Sequence, residues 1–266
     1  MLESRPLQGR RALVTGSVGG LGKVMARQLA HAGASVMISG LEAPEEVEAA
    51  RAELAHASGS TVGYAQADLT ILADIEGLAK RACDELGPID ILLNSAVVRH
   101  FSPLEQFPVD RWNEALAVNL SAPFHLTRLL LPSMRANGYG RIFNFTSVYG
   151  SHGTAGRVDY VCTKSAIEGL TRATAVECAD GAVSCHALCP GSMLTPSLEV
   201  RVRTLAETEN LDWEQATTKF LQGKNPTGRF VEESSVSDVM LFLCGPVGRD
   251  MNGAIIPIEG GWLAKA

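Results

Sequence analysis

The sequence predicts an α/β fold, a single doubly wound parallel sheet of about seven strands with helices on both faces. Short apolar runs alternate with longer helical patterns along most of the chain, and this alternation is typical of a parallel sheet. The first apolar run ends on a glycine-rich turn. The 266 residues are 46% hydrophobic and contain no Pro/Ser-rich linker or charge block. We therefore expect one domain that spans residues 1–266.

The predicted strands are short apolar runs bounded by turn residues. In chain order they cover residues 11–16, 35–39, 61–67, 89–94, 141–146, 183–189 and 254–258. Amphipathic helical patterns fill five of the intervals, at 21–31, 44–57, 71–86, 109–135 and 159–179. The pattern at 109–135 is expected to be interrupted near Pro123, because proline removes a backbone donor. In such a sheet the ligand crevice lies beyond the carboxyl ends of the strands, where the strand order reverses.

Residues 196–225 depart from the alternation of strands and helices. They carry two helical patterns, at 198–207 and 213–221, where a short crossover would suffice. Insertions over a ligand crevice often act as lids, so we expect a substrate lid at 196–225. A surface insertion without a role in binding is the alternative.

Charge and hydropathy exclude several classes of partner. The formal net charge is −6, and the 23 Lys and Arg residues are scattered among 29 Asp and Glu residues, so no basic stripe is present to bind nucleic acid. Neither an apolar amino-terminal region nor a run of eighteen apolar residues occurs. We expect a cytoplasmic protein that binds a small molecule and neither nucleic acid nor membrane.

The six cysteines lack CxxC spacing, and six buried thiols are expected in a reducing compartment. Cys185, His186 and Cys189 suggest a metal site at first sight. They lie in a predicted strand, however, where Cys185 and Cys189 share one face and His186 points to the other. No metal site is therefore expected.

A glycine cluster joins the first predicted strand to the first helix. Gly16 permits a tight turn, Gly20 lets a pyrophosphate approach the backbone, and Gly22 allows close helix packing. The amino terminus of the helix presents free N–H groups to phosphates. The spacing is G-x3-G-x-G, and a plain glycine turn is the alternative reading. Its place directly after the first strand favours a dinucleotide site.

A second group of residues carries acid and base chemistry. Tyr160 and Lys164 lie at i and i+4, on one face of a predicted helix, and a nearby ammonium favours a phenolate. Tyr160 is thus a candidate general acid and base. By itself the pair could equally be surface packing. Ser147 follows the strand at 141–146 directly, and Asn119 is a polar residue among apolar ones in a predicted helix.

These motifs, in this order, resemble those of the short-chain dehydrogenase/reductase family along essentially the whole chain. The matching residues include the glycine cluster, Asn-Ser-Ala-Val at 94–97 for the family's Asn-Asn-Ala-Gly, the four residues Asn119, Ser147, Tyr160 and Lys164, and Pro190-Gly191. The resemblance implies a Rossmann-like fold. It implies that Tyr160 exchanges the substrate proton, Ser147 holds the reacting oxygen, Lys164 tunes Tyr160 and binds the nicotinamide ribose, and Asn119 supports a water relay.

The same resemblance implies a nicotinamide cofactor. Its expected contacts are Gly16, Ser17, Gly20, Leu21, Gly22, Leu41, Asp68, Leu69, Asn94, Tyr160, Lys164, Pro190 and Thr195. The chain departs from the family element at Ser95 and Val97, which could alter cofactor affinity there. No cation occurs at Ser17-Val18 or Gly40-Leu41-Glu42, where a 2′-phosphate would need one, so NAD is expected over NADP. The family's acidic residue ending the second strand is replaced by Ser39 and Gly40.

Within the family, the chain most resembles the bacterial D-3-hydroxybutyrate dehydrogenases. The likeness lies in residues 40–51, in 189–196, in the helical lid and in the ending Gly260-Gly261-Trp262. It implies a substrate pocket that contains Ser147, with Arg99, Tyr149, Arg157, Arg201 and Trp262 at the positions matching that pocket. Three guanidiniums in one pocket suit an anionic substrate. Solvated surface arginines are the alternative.

Three functions remain open from the sequence. The leading one is an NAD-dependent oxidoreductase that interconverts a secondary alcohol and a ketone on a small anionic hydroxy acid, a 3-hydroxy acid or a relative with a second acidic group. The alternatives are a dehydrogenase of a neutral alcohol, sugar or steroid, and a nucleotide-binding protein without turnover. The resemblance also implies a homotetramer built partly on the helices at 109–135 and 159–179.

Overall fold

A computed structural model describes residues 5–179 and 181–265, which form one seven-stranded sheet with helices around it. The strands are β1 (Arg11–Val14), β2 (Ser35–Gly40), β3 (Val62–Gln66), β4 (Ile91–Asn94), β5 (Gly140–Phe145), β6 (Val183–Pro190) and β7 (Ile255–Ile258). Their order is β3-β2-β1-β4-β5-β6-β7, and every neighbouring pair is parallel. The predicted fold class is confirmed.

Helices cover both faces of this sheet. They are α1 (Gly20–His31), α2 (Pro44–Ser58), α3 (Leu72–Leu86), α4 (Val109–Leu116), α5 (Ala122–Ala136), α6 (Val158–Glu177), α7 (Pro196–Glu209), α8 (Trp213–Leu221), α9 (Glu233–Cys244) and α10 (Val247–Asp250). Successive strand residues serve opposite faces: Phe143 packs in the core with α1 and α9, whereas Ile142 packs in the core with α3 and α5. A strand that is buried on both faces has a continuous apolar run in its sequence.

The strand order reverses at β1, which pairs with β2 on one side and β4 on the other. Parallel strands all end at the same edge of the sheet, and the connections after β1 and β4 run in opposite directions from this point. A crevice therefore opens beyond the ends of these two strands, as the sequence predicts.

The long helical pattern at 109–135 is interrupted just before Pro123, close to the expected position. Helix α4 ends at Leu116, residues 117–121 form a π-helical turn, and α5 begins at Ala122 with Pro123 in its first turn. The wide turn closes with a hydrogen bond from Ala122 N to Ala117 O. A π turn accommodates one extra residue, and such turns are frequent at functional sites. Here the turn contains Asn119.

Two expectations need correction. Helix α9 was not predicted from the sequence, although it packs its buried Val236 and Met240 against the sheet. The six cysteines are not all buried, because Cys162 lies on the outward side of α6 and Cys83 is half-buried. An amphipathic helix needs only one buried face, so an outward thiol is compatible with the fold.

Both helical patterns of the 196–225 insertion form helices. Helix α7 ends at Glu209, and the next residue, Asn210, adopts the left-handed backbone conformation. Helix α8 is capped by Asp212, whose side chain accepts a hydrogen bond from Gln215 N at 2.8 Å. Among the described residues, no helix is both long and apolar enough to cross a bilayer.

Candidate active site

A cavity of about 1100 Å³ follows the carboxyl edge of the sheet. It begins at the turn between β1 and α1 and reaches α7 and α8. Eleven of the expected cofactor contacts line it: Gly16, Gly20, Leu21, Gly22, Leu41, Asp68, Leu69, Tyr160, Lys164, Pro190 and Thr195. All six expected substrate residues line it as well: Arg99, Ser147, Tyr149, Arg157, Arg201 and Trp262.

The glycine turn is shaped for close packing on one side and for a ligand on the other. A Cβ at Gly16 would lie 2.6 Å from Ala96 Cα, and one at Gly22 would lie 2.2 Å from Gly16 O. Gly20 has φ +53° and faces open space. No side chain caps the first turn of α1. Because Gly20, Leu21 and Gly22 line the cavity, this end of α1 fits the pyrophosphate of a dinucleotide.

Two expected cofactor contacts, Ser17 and Asn94, do not line this cavity. Ser17 Oγ donates to Val14 O at 2.7 Å and accepts from Ser39 N at 2.9 Å. Asn94 Nδ2 donates to Asn144 Oδ1 at 2.8 Å. Both side chains therefore tie strands together behind the cavity wall. Ser95, where the chain departs from the family element, donates its N–H to Thr15 Oγ1 at 3.1 Å.

The end of the cavity beside β2 and β3 is acidic. The Glu42 carboxylate folds over Gly40, so closely that a Cβ there would lie 2.2 Å from Oε2. Tyr64 and Gln66 fix the backbone of this loop, donating to the carbonyls of Glu42 and Leu41 at 2.5 and 2.7 Å. In the described parts of the chain, no Lys or Arg lines this end of the cavity.

Lys164 is almost fully buried at the carboxyl edge of the sheet. It is 4% exposed, and its Nζ donates to Phe145 O at 2.6 Å. Burial lowers the pKa of Lys164 to about 7, and the positive charge of Arg99 adds to the shift. Its Nζ lies 5.5 Å from the ring centroid of Tyr160. An ammonium held this way gains stability from a nearby negative charge.

Tyr160 and Ser147 face the same part of the cavity. Tyr160 is buried to 9% exposure, one helical turn before Lys164, and Ser147 is 8% exposed directly after β5. Ser147 Oγ accepts from Tyr149 N at 3.4 Å. The Tyr149 ring stands edge-on to Tyr160 at 6.3 Å and to Trp262 at 5.8 Å. Tyr160 and Ser147 can thus hydrogen-bond one substrate oxygen in a part of the cavity that has aromatic walls.

Asn119 lies behind the cavity rather than in its lining. Its Nδ2 donates to Val98 O at 2.8 Å and to Thr163 Oγ1 at 3.2 Å, and its Oδ1 accepts from Val98 N at 2.9 Å. Asn119 therefore joins the loop after β4 to α6. The π turn brings Asn119 to this loop, because it interrupts the regular spacing between α4 and α5.

The Arg157 guanidinium lies among three aromatic rings at the substrate end. Its Cζ is 4.5 Å from the ring centroid of Tyr160, 4.7 Å from that of Phe101 and 5.2 Å from that of Tyr149. Its Nε is buried without a hydrogen-bond partner. An anion bound here would meet a preorganised guanidinium next to the reacting groups.

Sequence reasoning missed Lys224, a further cation in the cavity lining. Its Nζ lies 4.1 Å from the ring centroid of Phe220, and the Cζ of Arg201 lies 5.1 Å from the same centroid. Lys224 was inside the predicted lid, but the pattern of a lid does not indicate which side chains turn inwards. Phe101, in the loop after β4, was also missed, because periodicity does not indicate which side of a loop a side chain occupies.

A glycine turn after β1 that fits a phosphate, and a Ser, Tyr and Lys group along the same cavity, are the arrangement expected of a nicotinamide-dependent oxidoreductase. The chain belongs to the short-chain dehydrogenase family, whose model, described as short chain dehydrogenase, matches residues 10–205. It is an enzyme of this family, and the predicted resemblance is confirmed.

Similar proteins extend the comparison over nearly the whole chain. D-beta-hydroxybutyrate dehydrogenase of Cupriavidus necator is 39% identical over 260 residues, which cover 97% of this chain and 100% of the relative. Gluconate 5-dehydrogenase of Gluconobacter oxydans is 32% identical, and the match covers 96% of this chain and 95% of that relative. The fold is similar to that of L-sorbose reductase of Gluconobacter frateurii, which was solved with NADPH and L-sorbose. The TM-score is 0.90 at 22% sequence identity, and the match covers 99% of this chain and 100% of the reductase chain.

Proposed function

We propose that this enzyme is an NAD-dependent dehydrogenase that interconverts the alcohol and ketone forms of a small anionic hydroxy acid similar to 3-hydroxybutyrate. The observation that carries the proposal is the Arg157 guanidinium, 4.5 Å above the ring of Tyr160 and within the same cavity as Ser147. The identity to D-beta-hydroxybutyrate dehydrogenase of C. necator supports this substrate class.

The proton of the substrate hydroxyl passes to Tyr160 during oxidation. Ser147 Oγ hydrogen-bonds the reacting oxygen and fixes its distance from the Tyr160 hydroxyl. Lys164 stabilises negative charge on Tyr160, and that charge in turn favours the buried ammonium. In reduction the same proton returns from Tyr160 to the developing alkoxide. A bound nicotinamide ring supplies the chemistry of hydride acceptance and donation.

The cavity residues would hold this cofactor by complementary groups. The amino terminus of α1 and Gly20 fit the pyrophosphate, Lys164 fits the nicotinamide ribose, and Pro190 and Thr195 border the nicotinamide end. Glu42 fits the two hydroxyls of an adenosine ribose, because a carboxylate accepts hydrogen bonds from both. A 2′-phosphate at this position would meet that carboxylate and no cation, which favours NAD.

The cations at the substrate end of the cavity favour an anionic substrate. Arg99 and Arg157 border the cavity close to Tyr160 and Lys164, and Phe101, Tyr149 and Trp262 supply apolar walls. A charge-assisted hydrogen bond is stronger in such a partly desolvated site than in water. Helices α7 and α8 complete the pocket from above and act as the substrate lid.

The enzyme assembles as a homotetramer through α4, α5 and α6. Val109 on α4 is 73% exposed, Phe124 on α5 is 46% exposed and Val176 on α6 is 77% exposed. Large apolar side chains on neighbouring helices are typical of surfaces that pair with a second copy.

A sugar acid is the second candidate substrate, because gluconate 5-dehydrogenase of G. oxydans is 32% identical over nearly the whole chain. The carboxylate of a sugar acid would suit Arg99 and Arg157 as well. The two candidates differ in the number of hydroxyls that the pocket must hydrogen-bond.

The test is a screen of NAD-linked activity over short hydroxy monocarboxylates, hydroxy dicarboxylates, sulfonates, sugar acids and neutral polyols. We expect the highest kcat/KM among short hydroxy acids. Tyr160→Phe should then abolish nearly all turnover and leave NADH binding, measured by fluorescence, largely unchanged. A neutral polyol as the best substrate, or full turnover in Tyr160→Phe, would overturn the proposal.

A further inference from the structure

Two cations share one aromatic ring in the lid. The guanidinium of Arg201 on α7 and the ammonium of Lys224, just after α8, both lie over Phe220, with Cζ and Nζ 5.1 and 4.1 Å from the ring centroid. We call Arg201 and Lys224 the lid cation pair. Both residues and Phe220 line the cavity that contains Tyr160 and Ser147.

The lid cation pair has no carboxylate partner in residues 5–179 and 181–265. Other cations on the same two helices are neutralised: Arg203 pairs with Glu199 at 2.6 Å, and Lys219 pairs with Glu209. Surface charges on a helix are ordinarily compensated in this way. Within the described part of the chain, the two lid cations that line the cavity therefore lack the ion-pair partner that the other two cations have.

Two neighbouring like charges are costly when they are partly removed from water. Burial lowers the pKa of Lys224, and the charge of Arg201 lowers it further. An anion bound beside both cations would offset their mutual repulsion and raise the pKa of Lys224 again. Cation–π contact with Phe220 contributes stability but does not neutralise either charge.

The backbone around Lys224 is anchored on the cavity side. Lys224 N donates to Leu221 O at 2.8 Å, and the buried side chain of Asn225 donates to Ser192 O and Arg229 O at 3.4 and 3.1 Å. The segment is thereby tied to the loop after β6. Lys224 is thus held at the cavity by its neighbours, and its position there does not depend on a mobile loop tip.

We propose that the lid cation pair is an anion-binding group in addition to Arg157, and that the substrate is a hydroxy acid with two acidic groups. One acidic group binds at Arg157 beside Tyr160, and the other binds between Arg201 and Lys224 on the lid. This inference rests on the proposed function for its identification of a substrate. The subsite itself requires only the two cations and the cavity that they share.

Binding measured without turnover tests the subsite. Calorimetric titrations of the protein with NADH would use a series of unreactive dicarboxylates from malonate to adipate, with butyrate as the monocarboxylate. We expect one chain length to bind about tenfold or more tightly than butyrate, since hydrogen bonds to charged groups are worth about 1.5–3 kcal/mol. Lys224→Met should lower that preference at least severalfold.

Lys219→Met is the matched control, because Lys219 lies on α8, is paired with Glu209 and does not line the cavity. It should retain the wild-type preference. Arg201→Gln is a second test variant that should reproduce the effect of Lys224→Met. Circular dichroism would establish that each variant is folded.

The outcomes separate this inference from the proposed function. Equal affinity for mono- and dicarboxylates in the wild type, or equal losses for both in Lys224→Met and in Arg201→Gln, would overturn the subsite. A dicarboxylate preference that depends on Lys224 would support it, even if no hydroxy acid is oxidised and the proposed function fails. With an active substrate, the ratio of kcat/KM for hydroxy dicarboxylate over hydroxy monocarboxylate should fall in the same variants.

Discussion

Removal of the Lys164 charge should change how the stability of the enzyme depends on pH. Lys164 is 4% exposed, and burial together with the charge of Arg99 lowers its pKa to about 7. In the unfolded chain a lysine titrates near pH 10.4. Between these two pH values the unfolded chain binds a proton that the native enzyme does not. The free energy of unfolding must therefore rise with pH in this window.

The magnitude follows from one proton. A single site contributes a slope that approaches about 1.4 kcal/mol per pH unit above the folded-state pKa and vanishes below it. For a folded pKa of about 7, single-site linkage gives a gain of about 1.4 kcal/mol between pH 6 and pH 8. The cost of the buried ammonium is fully present below this window.

The assay is urea unfolding at pH 6 and pH 8, without cofactor, for the wild type and Lys164→Met. The difference between the two proteins isolates Lys164, because the other titrating groups, including the buried thiols, are common to both. Lys23→Met, a change at an exposed position of α1, serves as the control and should keep the wild-type pH dependence. If Lys164→Met shows the same pH dependence as the wild type, the burial argument is wrong.

Three further predictions concern cofactor, substrate and assembly. With Glu42 at the adenosine end, kcat/KM for NAD should exceed that for NADP by well over tenfold, or more than about 1.4 kcal/mol; equal values would refute the role of Glu42. Arg157→Ala should raise KM for an anionic substrate by about one to two orders of magnitude, from loss of about 1.5–3 kcal/mol, with a smaller effect on a neutral one, whereas Arg203→Ala should change neither; equal losses on both substrates would contradict the anion-binding role. Light scattering at micromolar concentration should give the mass of a tetramer, and a monomer would exclude assembly through α4, α5 and α6.

The candidate catalytic residues could be found in the sequence because they obey local rules. A residue that follows a parallel strand lies at the carboxyl edge of the sheet, which places Ser147. Residues at i and i+4 share a helix face, which places Tyr160 and Lys164 together. The glycine turn is identified by its position between the first strand and helix. These rules need no knowledge of distant parts of the chain.

Other features depend on contacts between distant segments. Ser17 and Asn94 follow the family pattern, yet their side chains bond to neighbouring strands and turn away from the cavity. The helix interruption lies at residues 117–121, where Asn119 hydrogen-bonds the loop after β4. Proline was the local signal near this position, but it occupies the first turn of α5, where its missing N–H has little cost.

By itself, then, the sequence determined the parallel α/β sheet, the glycine turn after β1 and the grouping of Ser147, Tyr160 and Lys164, because hydrophobic periodicity and short-range spacing fix which face each residue occupies. Only the tertiary structure decided that Arg157 lies over the ring of Tyr160 and that Arg201 and Lys224 meet over Phe220. These residues lie on loops and on separate helices. Their side chains are directed by the packing of segments far apart in the chain, and periodicity carries no information about that packing.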